Sequence, residues 1–372
     1  MTESRPAAAD AVELLCELVG IDSVNPSLVA GAAGETEIVA ALRARLERAG
    51  FETHIVEAHG VPGRPSLIAI APGSADAPTV VLNGHLDTVG VTGMDEPFAP
   101  RIEDDRLFGR GAADMKGGVA ALVVAAEALV ARGARVRPVL ALVADEEDAS
   151  LGSEAVIAAL DGLGIRPDLC LIAEPTGLEL CRSLRGFAVA QLRFHGVAAH
   201  TSQAHLGVNA VTNLGRLLAA IEERATELRS HGEDLMVTVV RGGSSPFVVP
   251  DSAECVVEMR VAPSGQVAEA FAELQRMLKP EWMVSAELVA AREGWQLDEH
   301  GAAAELAALL GAALGTTASF DAPYWMEAPL WQAVCPTLIC GPTGDGLHAI
   351  DEWVDLDQVR RFTTALIDVL SD

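Results

Sequence analysis

His85 and Asp87 stand two residues apart in the run Gly84-His85-Leu86-Asp87, directly after a short apolar stretch at residues 79–82. On an extended chain that spacing puts both side chains on one face. An imidazole that binds a cation usually gives its other N–H to a carboxylate or carbonyl, which fixes ring and tautomer. Asp87 is placed to serve His85 in that way. Four further segments offer related chemistry. Asp145-Glu146-Glu147 follows apolar residues 136–144, Glu174 follows 169–173, and His348 follows 336–340 across a glycine-rich loop. Asp114 lies in the glycine-rich run 109–118, just ahead of an apolar helical stretch. Singly, each has an ordinary role: a strand-end His caps, an Asp in a glycine-rich loop turns the chain, and adjacent Glu residues are solvated. Two imidazoles and several carboxylates brought together without matching Lys or Arg repel one another until a cation joins them. Such a donor set suits zinc or a similar divalent ion.

The elements that must bring these residues together are legible from periodicity. Residues 79–82, 136–144, 169–173 and 336–340 read as short, mostly apolar strands. Residues 8–19, 36–49 and 119–131 have helical spacing, with Gly50 and Gly133 as stops. Strands alternating with helices predict a largely parallel sheet covered on both faces. The carboxyl ends of its strands meet at one edge, where ligands bind. The middle of the chain differs. Residues 186–195 alternate as a half-buried strand, 208–228 form a long amphipathic helix, 235–240 and 254–261 are strands, 266–278 is a helix, and 283–288 supply a last strand. That order is ferredoxin-like. The expected fold is α/β: a mixed, largely parallel sheet domain at residues 1–181 and 294–372, interrupted by a smaller α+β domain at 182–293.

Composition narrows the partners. A chain of 372 residues is long enough for two domains. Its net charge of −27 repels phosphate backbones and anionic lipid, so neither nucleic acid nor membrane is an expected partner. Six scattered cysteines without a C-x-x-C pair fit reduced thiols in the cytoplasm. Residues 1–10 lack the basic-then-apolar pattern of a secretory leader. The longest apolar stretch, 119–130, is interrupted by Glu127 and is too short to span a bilayer.

Taken together, the runs Gly84-His85-Leu86-Asp87-Thr88, Gly109 through Gly118, Asp145-Glu146-Glu147 and Ala173-Glu174-Pro175-Thr176 resemble the di-zinc metallopeptidase family. That family includes acetylornithine deacetylase, succinyl-diaminopimelate desuccinylase, aminoacylase and a glutamate carboxypeptidase. The resemblance covers nearly the whole chain, and it implies roles residue by residue. Asp114 bridges two divalent ions, zinc in the first place, with cobalt or manganese as substitutes. His85 and Glu174 complete one site; Glu147 and His348 complete the other. Glu146 is the general base, and the Asp114–Met115 peptide is cis. The inserted domain acts as lid and dimerisation domain. His200, in the run 196–202, crosses the interface of a homodimer to stabilise the tetrahedral oxyanion, a donor typically worth about 3 kcal/mol. Arg260 clamps the substrate carboxylate, for which a guanidinium is suited. Without the resemblance, His200 reads as a surface-loop imidazole and Arg260 as half of a strand-face salt bridge. His54, His59, His195, His205, His231 and His300 match no motif.

Some positions depart from the family pattern. Asp148-Ala149-Ser150-Leu151-Gly152-Ser153 stands where a glycine-rich stretch is usual, and Phe247 precedes Val248-Val249-Pro250 where desuccinylase-like members often carry Asn. Glu327-Ala328-Pro329-Leu330, Cys335-Pro336-Thr337-Leu338 and His348-Ala349-Ile350-Asp351-Glu352 are more similar to acetylornithine deacetylase, although Ile350 and the short loop 343–346 differ from it. The implied function is metal-dependent hydrolysis of the amide of a small N-acyl-amino acid, in the manner of acetylornithine deacetylase. The rivals are a dipeptidase or carboxypeptidase of the same family, a specialised biosynthetic deacylase or deprotecting peptidase, and a non-catalytic binding protein. The presence of Glu146 and of all five ligand positions speaks against the last.

Overall fold

A computed structural model describes residues 4–371 except 59 and 75, with side chains from residue 7 onward. His59 and the first three residues thus lie outside the described residues. The chain divides into two units: Met1–Arg182 with Leu297–Phe320 and Met326–Asp372, and Ser183–Gln296 with Asp321–Trp325. The short stretch Asp321–Trp325 falls within residues 294–372 of the sequence reading.

The first unit is built on a six-stranded sheet. In spatial order its strands are Glu52–Glu57, Pro65–Ile70, Arg137–Val143, Thr79–His85, Leu169–Ile172 and Thr337–Ile339. The last four run parallel, and the first two add an antiparallel edge. Every residue of Thr79–His85 is buried, as expected for a strand covered on both faces. Helix Gly117–Arg132 is apolar on nearly all sides and mostly buried. It packs with Ser4–Val19 and Leu356–Ser371 around a core that includes Leu15, Leu122, Leu140 and Phe362. Gly133, at φ 65°, ends the helix in the left-handed conformation that glycine adopts without strain. Parallel register sets His85 beside Val143 and Ile172 beside Ile339, so the strands finish along one edge.

A second, small sheet in this unit has the order Gly344–Asp345, Trp353–Asp355, Arg106–Phe108, Arg101–Glu103. Its first two strands form an antiparallel hairpin whose connection carries His348. The second unit holds an antiparallel sheet ordered Asp234–Gly242, Ser252–Val261, Gly186–His195, Val284–Arg292. Helices Ala210–Arg229 and Val267–Met277 pack with it through Leu192, Phe194, Leu214, Leu217, Val257 and Leu274. Its central strands alternate buried and half-exposed residues, the mark of a sheet covered on one face. No described helix is long and apolar enough to cross a membrane.

Candidate metal centre

Each donor reaches the rim of the first unit by its own route. His85 is the last residue of its strand. Its Nδ1 lies 3.0 Å from the Asp87 carbonyl, which can only accept, so Nδ1 is a donor and Nε2, which faces Asp114, is the nitrogen that would turn to a cation. The Asp87 carboxylate is farther from that ring, at 3.7 Å. It accepts instead from the backbone N–H groups of Glu146 (3.0 Å) and Glu147 (3.2 Å) and from Asn25 Nδ2 (2.8 Å). Asp87 therefore serves His85 through its main chain and fixes the acidic turn through its side chain. Asp145 enters that turn at φ 68°, and its carbonyl accepts from Ala149 and Ser150. The loop that departs from the glycine-rich pattern thus closes tightly ahead of helix Leu151–Leu160.

Asp114 lies in a kinked turn, Ala112–Lys116, just ahead of helix Gly117–Arg132; its own backbone (φ −120°, ψ 95°) is not helical, in keeping with a loop position, and the Asp114–Met115 peptide is cis. Both Glu352 carboxylate oxygens hold this turn: one accepts from the Gly111 amide, the other from the Ala113 and Asp114 amides. Arg110 pairs with Glu352 at 2.6 Å, and both are buried. Lys116 reaches the other way, donating to the carbonyls of Leu18 and Ile21. Glu174 follows strand Leu169–Ile172. A Cβ on Gly118 would lie 2.2 Å from the Ala173 carbonyl, so only glycine lets the helix start this close to that strand end. His348 sits at φ 61° in its hairpin loop and is half exposed.

The side chains assemble into two groups that share Asp114. Donor atoms of His85, Asp114 and Glu174 lie within 4.8 Å of one another, as do those of Asp114, Glu147 and His348. His85 Nε2 is 3.0 Å from Asp114 Oδ1; His348 Nε2 is 3.3 Å from Asp114 Oδ2 and 3.0 Å from Glu147 Oε2. Glu146 stands beside them, with Oε2 4.0 Å from His85 Nε2. His200 and Arg260 belong to the second unit. His200 is exposed, and its Nδ1 accepts the Ser202 amide at 3.2 Å, which leaves Nε2–H as the free donor. Arg260 pairs with Glu258 at 2.6 Å and lies over the Phe187 ring.

The electrostatics are those of a site short of positive charge. Burial pushes Glu146 well above the usual carboxylate range, and the nearby Glu174 pushes it further. Burial raises Glu174 to about 8 and also raises Glu147. Burial alone would raise Asp114 too, but hydrogen bonds to His348 and His85 hold it far below the normal range. His348 is raised to about 10 by its bonds to Asp114 and Glu147. Glu147 Oε1 is buried without a partner. Nitrogen and carboxylate donors, an orphaned buried oxygen and carboxylates crowded past what two imidazoles neutralise all fit a pair of divalent cations.

Glu327, of the run Glu327-Ala328-Pro329-Leu330, is a further buried acid whose charge reaches the centre. It is buried and accepts from Ser153 Oγ at 2.7 Å, and the Ser150 hydroxyl also favours its charged form. Burial raises it to about 7, and its charge acts on Glu146 and Glu174. Its type and its place before Ala-Pro at a helix start carry no metal-ligand spacing that would have singled it out.

The profile of peptidase family M20/M25/M40 matches residues 81–372, which include every donor above. The chain belongs to that family. Among M20 relatives it is 26% identical to the succinyl-diaminopimelate desuccinylase of Zymomonas mobilis, over 98% of both chains. It is 27% identical to the acetylornithine deacetylase of Photorhabdus laumondii, over 96% of both. An M20 family metallo-carboxypeptidase from Sulfolobus solfataricus shares the fold, with a TM-score of 0.76 at 16% identity over 97% of this chain and 98% of that one. This M20 protein is a metal-dependent hydrolase that acts on amide bonds.

Proposed function

We propose that the protein hydrolyses the amide of a small N-acyl-amino acid, a deacylation of the acetylornithine deacetylase type. The observation that carries this reading is the pair of donor groups joined at Asp114, with Glu146 beside them and bound to neither. In this reading His85, Asp114 and Glu174 hold one divalent ion and Asp114, Glu147 and His348 the other, zinc being the best match to the donor set. When bound, such ions polarise a carbonyl and make water a nucleophile at neutral pH.

The protein's own residues do the rest. Glu146 is a carboxylate in a buried, acidic setting, which raises its proton affinity and so favours a general base. It takes a proton from the attacking water and gives it to the departing amine nitrogen. The Asp87 carboxylate holds the amides of Glu146 and Glu147, so base and ligand keep a fixed spacing. His200, with Nε2–H free, donates to the developing oxyanion from the partner subunit of a homodimer, and Arg260 exchanges Glu258 for the substrate carboxylate. The small domain serves as lid and dimerisation surface. Six free cysteines suit a reducing cytoplasm.

Hydrolysis of a panel of N-acyl-amino acids and dipeptides by metal-loaded protein, beside Glu146→Gln, tests the reading. Release of a carboxylic acid from an acyl-amino acid, abolished in the variant, is the expected result. Turnover of dipeptides alone moves the assignment to a peptidase, the second reading, which the likeness to a metallo-carboxypeptidase favours.

A further inference from the structure

Two loops of the first unit leave large aliphatic side chains in the open near the metal donors. Val29 is 41% exposed and Ile350, two residues beyond His348, is 63% exposed. Their chain neighbours Leu28 and Leu347 are exposed as well. Scattered exposed aliphatics are ordinary on a protein surface. These sit on a fixed frame tied to the metal centre. The Leu28 and Val29 amides donate to the Asn25 carbonyl, and the Asn25 side chain donates to the Asp87 carboxylate. A Cβ on Gly90 would lie 3.0 Å from Val29 Cγ2, and one on Gly93 would lie 3.4 Å from Ile350 Cγ2. The loop at 88–93 therefore lies against both aliphatic side chains. Arg110 Nη2 fastens it to the His348 hairpin, donating to the carbonyls of Gly90 and Ala349 at 3.0 Å each. Val29, the glycine loop and Ile350 thus form one continuous lip beside His348.

The charge of this lip is one-sided. Residues 25–33, 88–98 and 344–352 contain no Lys or Arg. Two guanidinium groups adjoin it, and both are buried and occupied: Arg64, which also donates to Ser27, by Glu35 and Asp145, and Arg110 by Glu352 and two carbonyls. An acyl group ending in a carboxylate finds no cation here. A cationic side chain would meet exposed acids such as Asp351 but would leave the aliphatic surface wet.

We propose that the lip is a specificity-determining surface: the substrate carries an uncharged aliphatic group beside the scissile amide, and that group packs on Val29 and Ile350. The inference rests on the amide-hydrolysis reading above and names its substrate class. One methylene in an apolar site discriminates by roughly 10-fold to 200-fold, and an open lip belongs at the low end.

The test compares N-acetyl-leucine and N-isovaleryl-glycine with N-acetyl-ornithine and N-succinyl-glycine. Turnover is measured on metal-loaded wild type and Ile350→Gln, and binding of all four is measured by calorimetry to Glu146→Gln. The expected result is a kcat/KM about tenfold higher for an aliphatic compound than for either charged one. Ile350→Gln should raise its KM about tenfold with kcat nearly unchanged. Whichever aliphatic compound wins tells whether the group belongs to the amino acid or to the acyl part. Preference for a charged compound, or an aliphatic preference untouched in both Ile350→Gln and Val29→Ser, overturns the lip while amide hydrolysis stands. Hydrolysis of none of the four, with tighter binding of an aliphatic compound to Glu146→Gln, upholds the lip and counts against the deacylase reading. Neither turnover nor selective binding overturns the lip.

Discussion

In the first unit Arg64 and Arg110 have lost their water; in the second, Arg193, Arg229 and Arg241 keep theirs. Arg64 pairs with Glu35 at 2.6 Å and Asp145 at 2.8 Å, and Arg110 pairs with Glu352, with every side chain at most 3% exposed. Arg193–Glu287, Arg229–Asp234 and Arg241–Glu254 are of similar length, but their arginines are 45–74% exposed. Burying an ion pair costs desolvation that its attraction often only matches, so it is weak evidence of stability in itself. The buried pairs sit where a backbone turn must be held under a metal donor. Asp145 begins the Glu146-Glu147 turn, and Glu352 holds the amides around Asp114. These buried pairs hold backbone turns of the candidate centre; Arg193, Arg229 and Arg241 pair on an exposed surface, as Arg43 and Arg101 do in the first unit.

The contrast can be tested from its strongest arm to its weakest. Glu146→Gln should lower amide turnover by about 10²–10⁴-fold, the usual reach of a general base. Metal content measured on the same sample should stay at the wild-type level, since Glu146 belongs to neither donor group. A matching loss of metal would make Glu146 a ligand. Arg110→Met leaves Glu352 buried and unpaired and should cost about 3–5 kcal/mol in denaturant unfolding. A cost below 1 kcal/mol would place Arg110 with the arginines of the second unit.

Chelation exposes the acidic surplus itself. Glu174 lies at about 8 when folded against 4.5 when unfolded. Between those values the folded state holds a proton that the unfolded state has released, so stability falls as pH rises. His348, raised from 6.5 to about 10, contributes stability that is present below 6.5 and is lost through 10, in the same direction. The melting temperature of chelated protein should therefore decline from about pH 5 to pH 9, and bound metal should flatten the decline. A flat profile after chelation would remove the carboxylate crowding. The smallest effect belongs to Arg241→Met, expected within about 0.5 kcal/mol of wild type. A loss above 1 kcal/mol would show that the second unit also depends on its ion pairs.

Much of the fold could be read from the sequence where one physical signal dominated. Residues 79–82, 136–144 and 169–173 are mostly apolar runs, and each marks a parallel strand of the main sheet. The antiparallel edge was not read. Glu52–Glu57 mixes Glu, Thr and His with two aliphatics and stays partly exposed, so it has neither a continuous nor a cleanly alternating pattern. The hairpin that carries His348 was missed because its strands are only two and three residues long. At the centre, the donors could be read because each follows an apolar strand or a glycine turn. The network beneath them could not. Arg64, Asp145, Asn25 and Asp87 are brought together across gaps of up to 120 residues, and nothing local to any of them announces its partners.

The main sheet is finished by Thr337–Ile339, whose partner strand Leu169–Ile172 was made more than 160 residues earlier. During synthesis that partner must wait with an open edge while the whole second unit is translated. Pairing so distant in sequence is slow to form, and unpaired edges favour aggregation. His348 arrives later still. A nascent chain therefore carries four of the five candidate donors before it can close the second group, and a chain stopped between Ile172 and Thr337 has both an exposed strand edge and a half-built centre.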